Sequence, residues 1–180
     1  MIKCRTCKNY FITMYKRRIK KEISILNDKY DEVDDVNFEN VRSNENIEIK
    51  IVHNLNHFKF VFDSNYPFKC CNLYIWRNNK YEKYTNILKE SYMKYTYTHF
   101  NLFKNNKKMI PCPCCYNISC NWKISTLCHK MIDEYFYYMD HYNNMNQCYN
   151  GILCLKKYLD KKYLKSMDHI ISNIISYVYL

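Results

Sequence analysis

Apolar and polar positions near the start of the chain recur with the three- and four-residue spacing of an α-helix. Between residues 11 and 26, the lysines and arginines fall on the face opposite the apolar positions. This pattern predicts an amphipathic helix that packs its apolar face on a core. The apolar positions that form this stripe are Ile12, Tyr15, Ile19, Ile23 and Leu26.

The next part of the chain changes to a two-residue alternation, the spacing of a half-buried β-strand. Isoleucines alternate with charged residues at 47–51, and phenylalanines recur at every second position at 58–62. The segment 53–56 between them has turn residues, so these two strands are predicted to form a hairpin. A further apolar strand at 72–76 and an edge strand at 36–41 complete a predicted antiparallel four-stranded meander.

Helical periodicity returns in the second half of the chain. We predict a short helix at 84–92 followed by a long loop, and a longer helix at 124–139. Two C-terminal helices are predicted at 152–163 and 166–179. Together the patterns indicate an α+β fold in which one helix precedes the strands along the chain and several helices follow them.

The composition is that of one folded domain in a chain of 180 residues. Twenty tyrosines and nine phenylalanines supply enough apolar surface for a core, which excludes disorder of the whole chain. The formal net charge of +11 does not favour nucleic acid as a partner, because an AT-rich genome, such as that of a large DNA virus, also inflates lysine. The single glycine excludes a glycine-rich phosphate loop, and no apolar run reaches the roughly 18 residues of a membrane helix.

Cysteine is the most informative residue type, with eleven in the chain. Residues 1–10 carry charges where a secretory signal needs an apolar run, so we expect a reducing, intracellular location. The cytoplasm or nucleus of a host cell, or a virion, would provide that setting. Clustered thiols there indicate thiol chemistry or metal binding rather than a disulfide framework.

Three local motifs resemble those of the ubiquitin-conjugating enzymes. The segment Tyr66-Pro67-Phe68-Lys69 is similar to the Tyr-Pro-Phe segment that closes the third strand in that family, with Cys70-Cys71 where two prolines are common. Trp122 follows Cys114 by eight residues, which is similar to the family's spacing between the catalytic cysteine and a tryptophan. His99-Phe100-Asn101 resembles the His-Pro-Asn that precedes that cysteine, although the gap is longer here.

The resemblance implies a ubiquitin-conjugating-enzyme-like fold: an N-terminal helix, a four-stranded meander, a cysteine loop and C-terminal helices. The whole chain, 1–180, is then a single domain. It divides into a cysteine-containing extension at 1–10, the conjugating-enzyme-like core at 11–140 and C-terminal helices at 141–180.

The same resemblance implies roles for four residues. Cys114 would be the nucleophile that accepts ubiquitin as a thioester from the activating enzyme, and Cys112 is the alternative nucleophile. Asn101 would stabilise the oxyanion of the tetrahedral intermediate, in a segment that also holds His99. No cofactor is required for this chemistry. The implied partners are ubiquitin and its activating enzyme.

Two other interpretations remain open from the sequence. In the first, the fold is kept without catalysis, Cys114 is a packed thiol, and the protein is a structural or adaptor component that binds other virion or host proteins. In the second, two C-x-x-C pairs bind zinc through four thiolates. The zinc ligands would be Cys4, Cys7, Cys112 and Cys115, with Cys120 and Cys128 as alternatives.

Overall fold

The computed structural model describes residues 5–34, 46–103 and 112–158. Within these ranges the helices are α1 (Arg5–Lys29), α2 (Tyr84–Phe103), α3 (Pro113–Tyr116) and α4 (His129–Tyr158). The strands are β1 (Glu32–Val33), β2 (Ile47–His53), β3 (Asn56–Phe62), β4 (Asn72–Arg77) and β5 (Lys80–Lys83). The predicted α+β class is confirmed.

The strands form one antiparallel sheet in the order β1-β2-β3-β4-β5. One face of this sheet is apolar because the alternating isoleucines and phenylalanines lie directly opposite one another. Ile49 pairs with Phe60, Phe60 in turn pairs with Leu73, and all three side chains are fully buried. Glu48 and Lys50, at the intervening positions of β2, are exposed. The sheet therefore has one face on the core and one face towards solvent.

Three helices bury their apolar stripes in the same core as this sheet face. From α1 come Ile19 and Leu26, and from α4 come Met131 and Ile132, each with no exposed surface. Leu88 of α2 is also fully buried. The core thus joins the N-terminal helix, the sheet and the long C-terminal helix into one unit.

Two-residue turns connect the two tightest hairpins. Asn54 and Leu55 join β2 to β3 with φ values of 50° and 62°, and Asn78 and Asn79 join β4 to β5 with φ values of 52° and 62°. Positive φ at both central residues is the requirement of a type I′ turn, whose twist matches that of paired strands. Asparagine tolerates this conformation well, whereas leucine does not.

The predicted four-stranded meander is wrong in its strand count, since the described residues form five strands. The edge strand is Glu32–Val33, and the predicted edge strand at 36–41 lies outside the described ranges. The sequence pattern missed β5 because Lys80–Lys83 is short and polar, and only pairing to β4 across the Asn78-Asn79 turn makes it a strand.

The helices are longer than predicted. The predicted helix at 11–26 is confirmed within α1, and the helix predicted at 84–92 continues to Phe103, where a loop was expected. The helix predicted at 124–139 begins at His129 and runs unbroken to Tyr158. Residues 152–158 of the helix predicted at 152–163 are therefore helical but belong to α4, and residues 159–163 lie outside the described ranges. Gly151 lies inside α4, where glycine costs only about 1 kcal/mol of helix propensity. The predicted helix at 166–179 lies outside the described residues.

Candidate thiol site

Trp122 fixes the cysteine-rich segment 112–128 against the loop that follows β3. Its indole Nε1–H donates a hydrogen bond to the Pro67 carbonyl oxygen over 2.8 Å, and its ring centroid lies 5.8 Å from that of Tyr66. The Tyr66–Pro67 peptide bond is cis. Residues that are 55 positions apart in sequence therefore meet, and the segment between α3 and α4 is held beside the Tyr66-Pro67-Phe68 loop.

A fully buried carboxylate, that of Glu22, holds α1 to this region. Its Oε1 accepts hydrogen bonds from the Tyr66 hydroxyl and from Arg18 Nη2, the latter over 2.8 Å. Its Oε2 accepts the backbone N–H of Cys128 over 3.0 Å, just before α4 begins. Arg18 Nη2 also donates to the Thr126 carbonyl over 2.6 Å. Burial of Tyr66, reinforced by the charge of Glu22, raises the pKa of its hydroxyl, which therefore remains a donor.

A second carboxylate anchors the loop that follows α3. Both oxygens of Glu134 lie 3.1 Å from the Ile118 backbone nitrogen, which donates to them. The Tyr84 hydroxyl donates to Glu134 over 3.3 Å and accepts the Ser119 N–H over 3.2 Å. Burial raises the pKa of the Glu134 carboxyl, while the Ile118 amide opposes the shift. The loop after α3 is therefore linked to α2 and to α4 by hydrogen bonds in which each polar group has a partner.

The cysteines of segment 112–120 lie on a compact turn around Asn117. The side-chain oxygen of this buried asparagine accepts the Cys120 N–H over 2.9 Å, and its amide nitrogen donates to the Pro113 carbonyl. Cys112 is half-buried, whereas Cys115 and Cys120 are exposed. Cys114 lies in α3, and its side chain is outside the described set. Two cysteines of this segment therefore lie at the protein surface.

His99 and Asn101 lie in the last turns of α2, in a regular helix rather than in the loop that the sequence predicted. Helix α2 packs against α3, which carries Cys114. The helix that carries Asn101 therefore neighbours the helix that carries Cys114. The side chains of His99 and Asn101 are outside the described set, so the role of Asn101 as oxyanion donor stays a prediction.

Cys70 and Cys71 are the thiols whose importance the sequence pattern did not reveal. They lie between the Tyr66-Pro67 loop and β4, with Cys70 half-buried and Cys71 buried. A hydrogen bond from Cys71 lowers the pKa of the Cys70 thiol, burial partly opposes this, and Ser119 lowers it further. Burial raises the pKa of Cys71 well above its ordinary value. The adjacent Cys-Cys pair was the available signal in the sequence.

The structure describes the side chains of only part of the predicted zinc ligand set. Among the described residues, no group of three or more His, Cys, Asp or Glu side chains could hold a metal ion. Cys4 lies outside the described ranges, and Cys7 lies in α1 with its side chain outside the described set. Of the alternatives, Cys120 is exposed and Cys128 is fully buried. Zinc binding through the two C-x-x-C pairs stays a prediction.

No protein-family model, curated protein or solved structure matches this chain. Among the residues that the structure covers, none of the helices combines the length and apolar character needed to cross a bilayer.

Proposed function

We propose that this protein is a ubiquitin-conjugating-enzyme-like domain that carries ubiquitin, or a related modifier, as a thioester on a cysteine of segment 112–115. The observation that carries the proposal is the contact between Trp122 and the Tyr66-Pro67 loop. These are the two best-matching parts of the sequence resemblance, and they lie together in space. Three of the four strands that the resemblance implies, at 47–51, 58–62 and 72–76, lie within β2, β3 and β4 of one antiparallel sheet.

The proposed reaction is acyl transfer between sulfur atoms. A cysteine thiolate attacks the carbonyl carbon of the thioester on the activating enzyme, and the activating enzyme's thiolate leaves from the tetrahedral intermediate. An amine then attacks the new thioester and releases the cysteine. Cys114 is the first candidate nucleophile and Cys112 the alternative, with Asn101 as the oxyanion donor. Exposed Cys115 adds a third thiol to the same segment.

A second candidate function is supported by α2. In ubiquitin-conjugating enzymes the asparagine that stabilises the oxyanion lies in a loop before the cysteine. In this protein His99 and Asn101 belong to a regular helix. The two common prolines are also replaced by Cys70 and Cys71. These observations favour a protein of the same fold that binds partners without transferring an acyl group. Its partners would be other virion or host proteins, and either function fits an intracellular or virion location.

The two functions are separated by a loading assay. Purified protein is incubated with ubiquitin, its activating enzyme and ATP, and thiol-sensitive adducts are detected on a non-reducing gel. Cys112→Ala, Cys114→Ala and Cys115→Ala are compared with Cys154→Ala, which removes an exposed thiol from α4. Acyl transfer predicts an adduct that one of the first three substitutions abolishes and that Cys154→Ala leaves unchanged.

Asn101→Ala tests the oxyanion role in the same assay. Loss of such a donor slows the transfer step by about 10²–10³-fold. An unchanged loading rate would remove Asn101 from the mechanism. If the folded protein forms no adduct and does not bind the activating enzyme, acyl transfer is rejected. The function in which the protein binds partners without catalysis would then remain.

A further inference from the structure

The sulfur atoms of two adjacent cysteines meet a methionine sulfur at the start of α4. The Sδ atom of Met131 lies 3.8 Å from Cys70 Sγ and 3.8 Å from Cys71 Sγ. Met131 is fully buried and Cys71 is 2% exposed, whereas Cys70 is half-buried. Of the three residues, Cys70 is therefore the one that solvent reaches most.

We propose that Cys70, Cys71 and Met131 form a binding site for a soft monovalent metal ion, and that copper(I) is the cation it fits. The site is separate from the thiols of segment 112–115 and does not depend on acyl transfer.

The distances from Met131 Sδ to the two cysteine sulfur atoms fit trigonal coordination. With metal–sulfur bonds of about 2.3 Å, three ligands at the corners of a triangle lie about 4.0 Å from one another. Both distances from Met131 Sδ, at 3.8 Å, are close to this value. A metal ion at the centre would therefore require only small side-chain movements.

The donor set selects the metal. Thiolate and thioether ligands favour copper(I), whereas a hard ion such as magnesium prefers oxygen ligands. A structural zinc site needs four strong ligands, and a neutral thioether is not among those it uses.

Copper(I) would be bound by the thiolate form of each cysteine. Binding would therefore displace one proton from each thiol into solvent.

Copper(I) binding is measured without oxygen, with a phosphine reductant present, by competition against a chromogenic copper(I) chelator. We expect Cys70→Ser and Met131→Leu to weaken the binding of one equivalent by at least about tenfold, because loss of even an outer-shell partner can cost that much. Cys154→Ser is the matched control, since it removes an exposed thiol distant in sequence. Equal affinity in Cys70→Ser and Cys154→Ser would overturn the proposal.

Selenomethionine labelling tests the thioether directly. X-ray absorption at the copper edge of the one-equivalent complex should show a copper–selenium distance. Because the chain has eight methionines, this signal must be assigned to Met131 by substitution. Met131→Leu keeps the side-chain volume and should remove that signal. A spectrum without a copper–selenium contribution, or one that Met131→Leu leaves unchanged, would exclude the site.

Discussion

The carboxylate of Glu22 is the polar group whose loss should destabilise the fold most. It is fully buried, pairs with Arg18, and accepts hydrogen bonds from Tyr66 and from the backbone of Cys128. Removing one partner of a buried ion pair costs about 3–5 kcal/mol, since the remaining charge is left uncompensated. Because the Tyr66 and Cys128 donors also lose their acceptor, we expect Glu22→Ala to fall in the upper half of that range.

The measurement is unfolding in guanidinium chloride followed by far-ultraviolet circular dichroism. Glu48→Ala provides the matched control, because Glu48 is half-exposed and pairs with Lys59 over 3.4 Å on the solvent face of the sheet. A surface pair of this kind contributes about 0–1 kcal/mol. The comparison requires that both variants show the same dependence of the free energy of unfolding on denaturant concentration. The difference in midpoint then reports a change in stability and not a change in the unfolded state.

A double substitution tests the physical reason. Arg18→Met in the Glu22→Ala background removes the uncompensated guanidinium, so part of the lost free energy of unfolding should return. The reasoning is refuted if Glu22→Ala costs no more than Glu48→Ala. It is also refuted if Arg18→Met makes the Glu22→Ala protein still less stable.

Two further predictions concern the hairpin tip and the start of α4. Leu55→Gly should raise the free energy of unfolding by about 0.5–1 kcal/mol, measured by thermal unfolding. Leu55 is 97% exposed, and its φ of 62° costs a residue with a Cβ about 1–2 kcal/mol. Leu55→Ala keeps the Cβ, so an equal gain in that variant would contradict this reason. Desolvation lowers the pKa of the His129 imidazole below 6.5, so the unfolded state binds the proton more readily and stability should fall as pH drops below about 6.5. His129→Gln should reduce this fall, though not abolish it, because burial also lowers the pKa of His141; a pH profile identical to that of the unchanged protein would disprove the assignment.

The local pattern predicted the elements whose burial is periodic. The stripe containing Ile19 identified α1, and the alternation around Ile49 and Phe60 identified the central hairpin, because side-chain spacing reports which face is apolar. Strand β5 and the unbroken course of α4 were not recognisable, because both depend on distant partners that outweigh weak local propensity.

The candidate site shows the same division. The sequence determined the α+β class, the abundance of thiols and the presence of the Tyr66-Pro67 and Trp122 motifs. Only the tertiary structure decided that Trp122 bonds to Pro67, that Glu22 holds Tyr66, and that Met131 contacts Cys70 and Cys71. These contacts join residues far apart in the chain, and no local spacing encodes them, because each forms only when the helices and the sheet bury a common core.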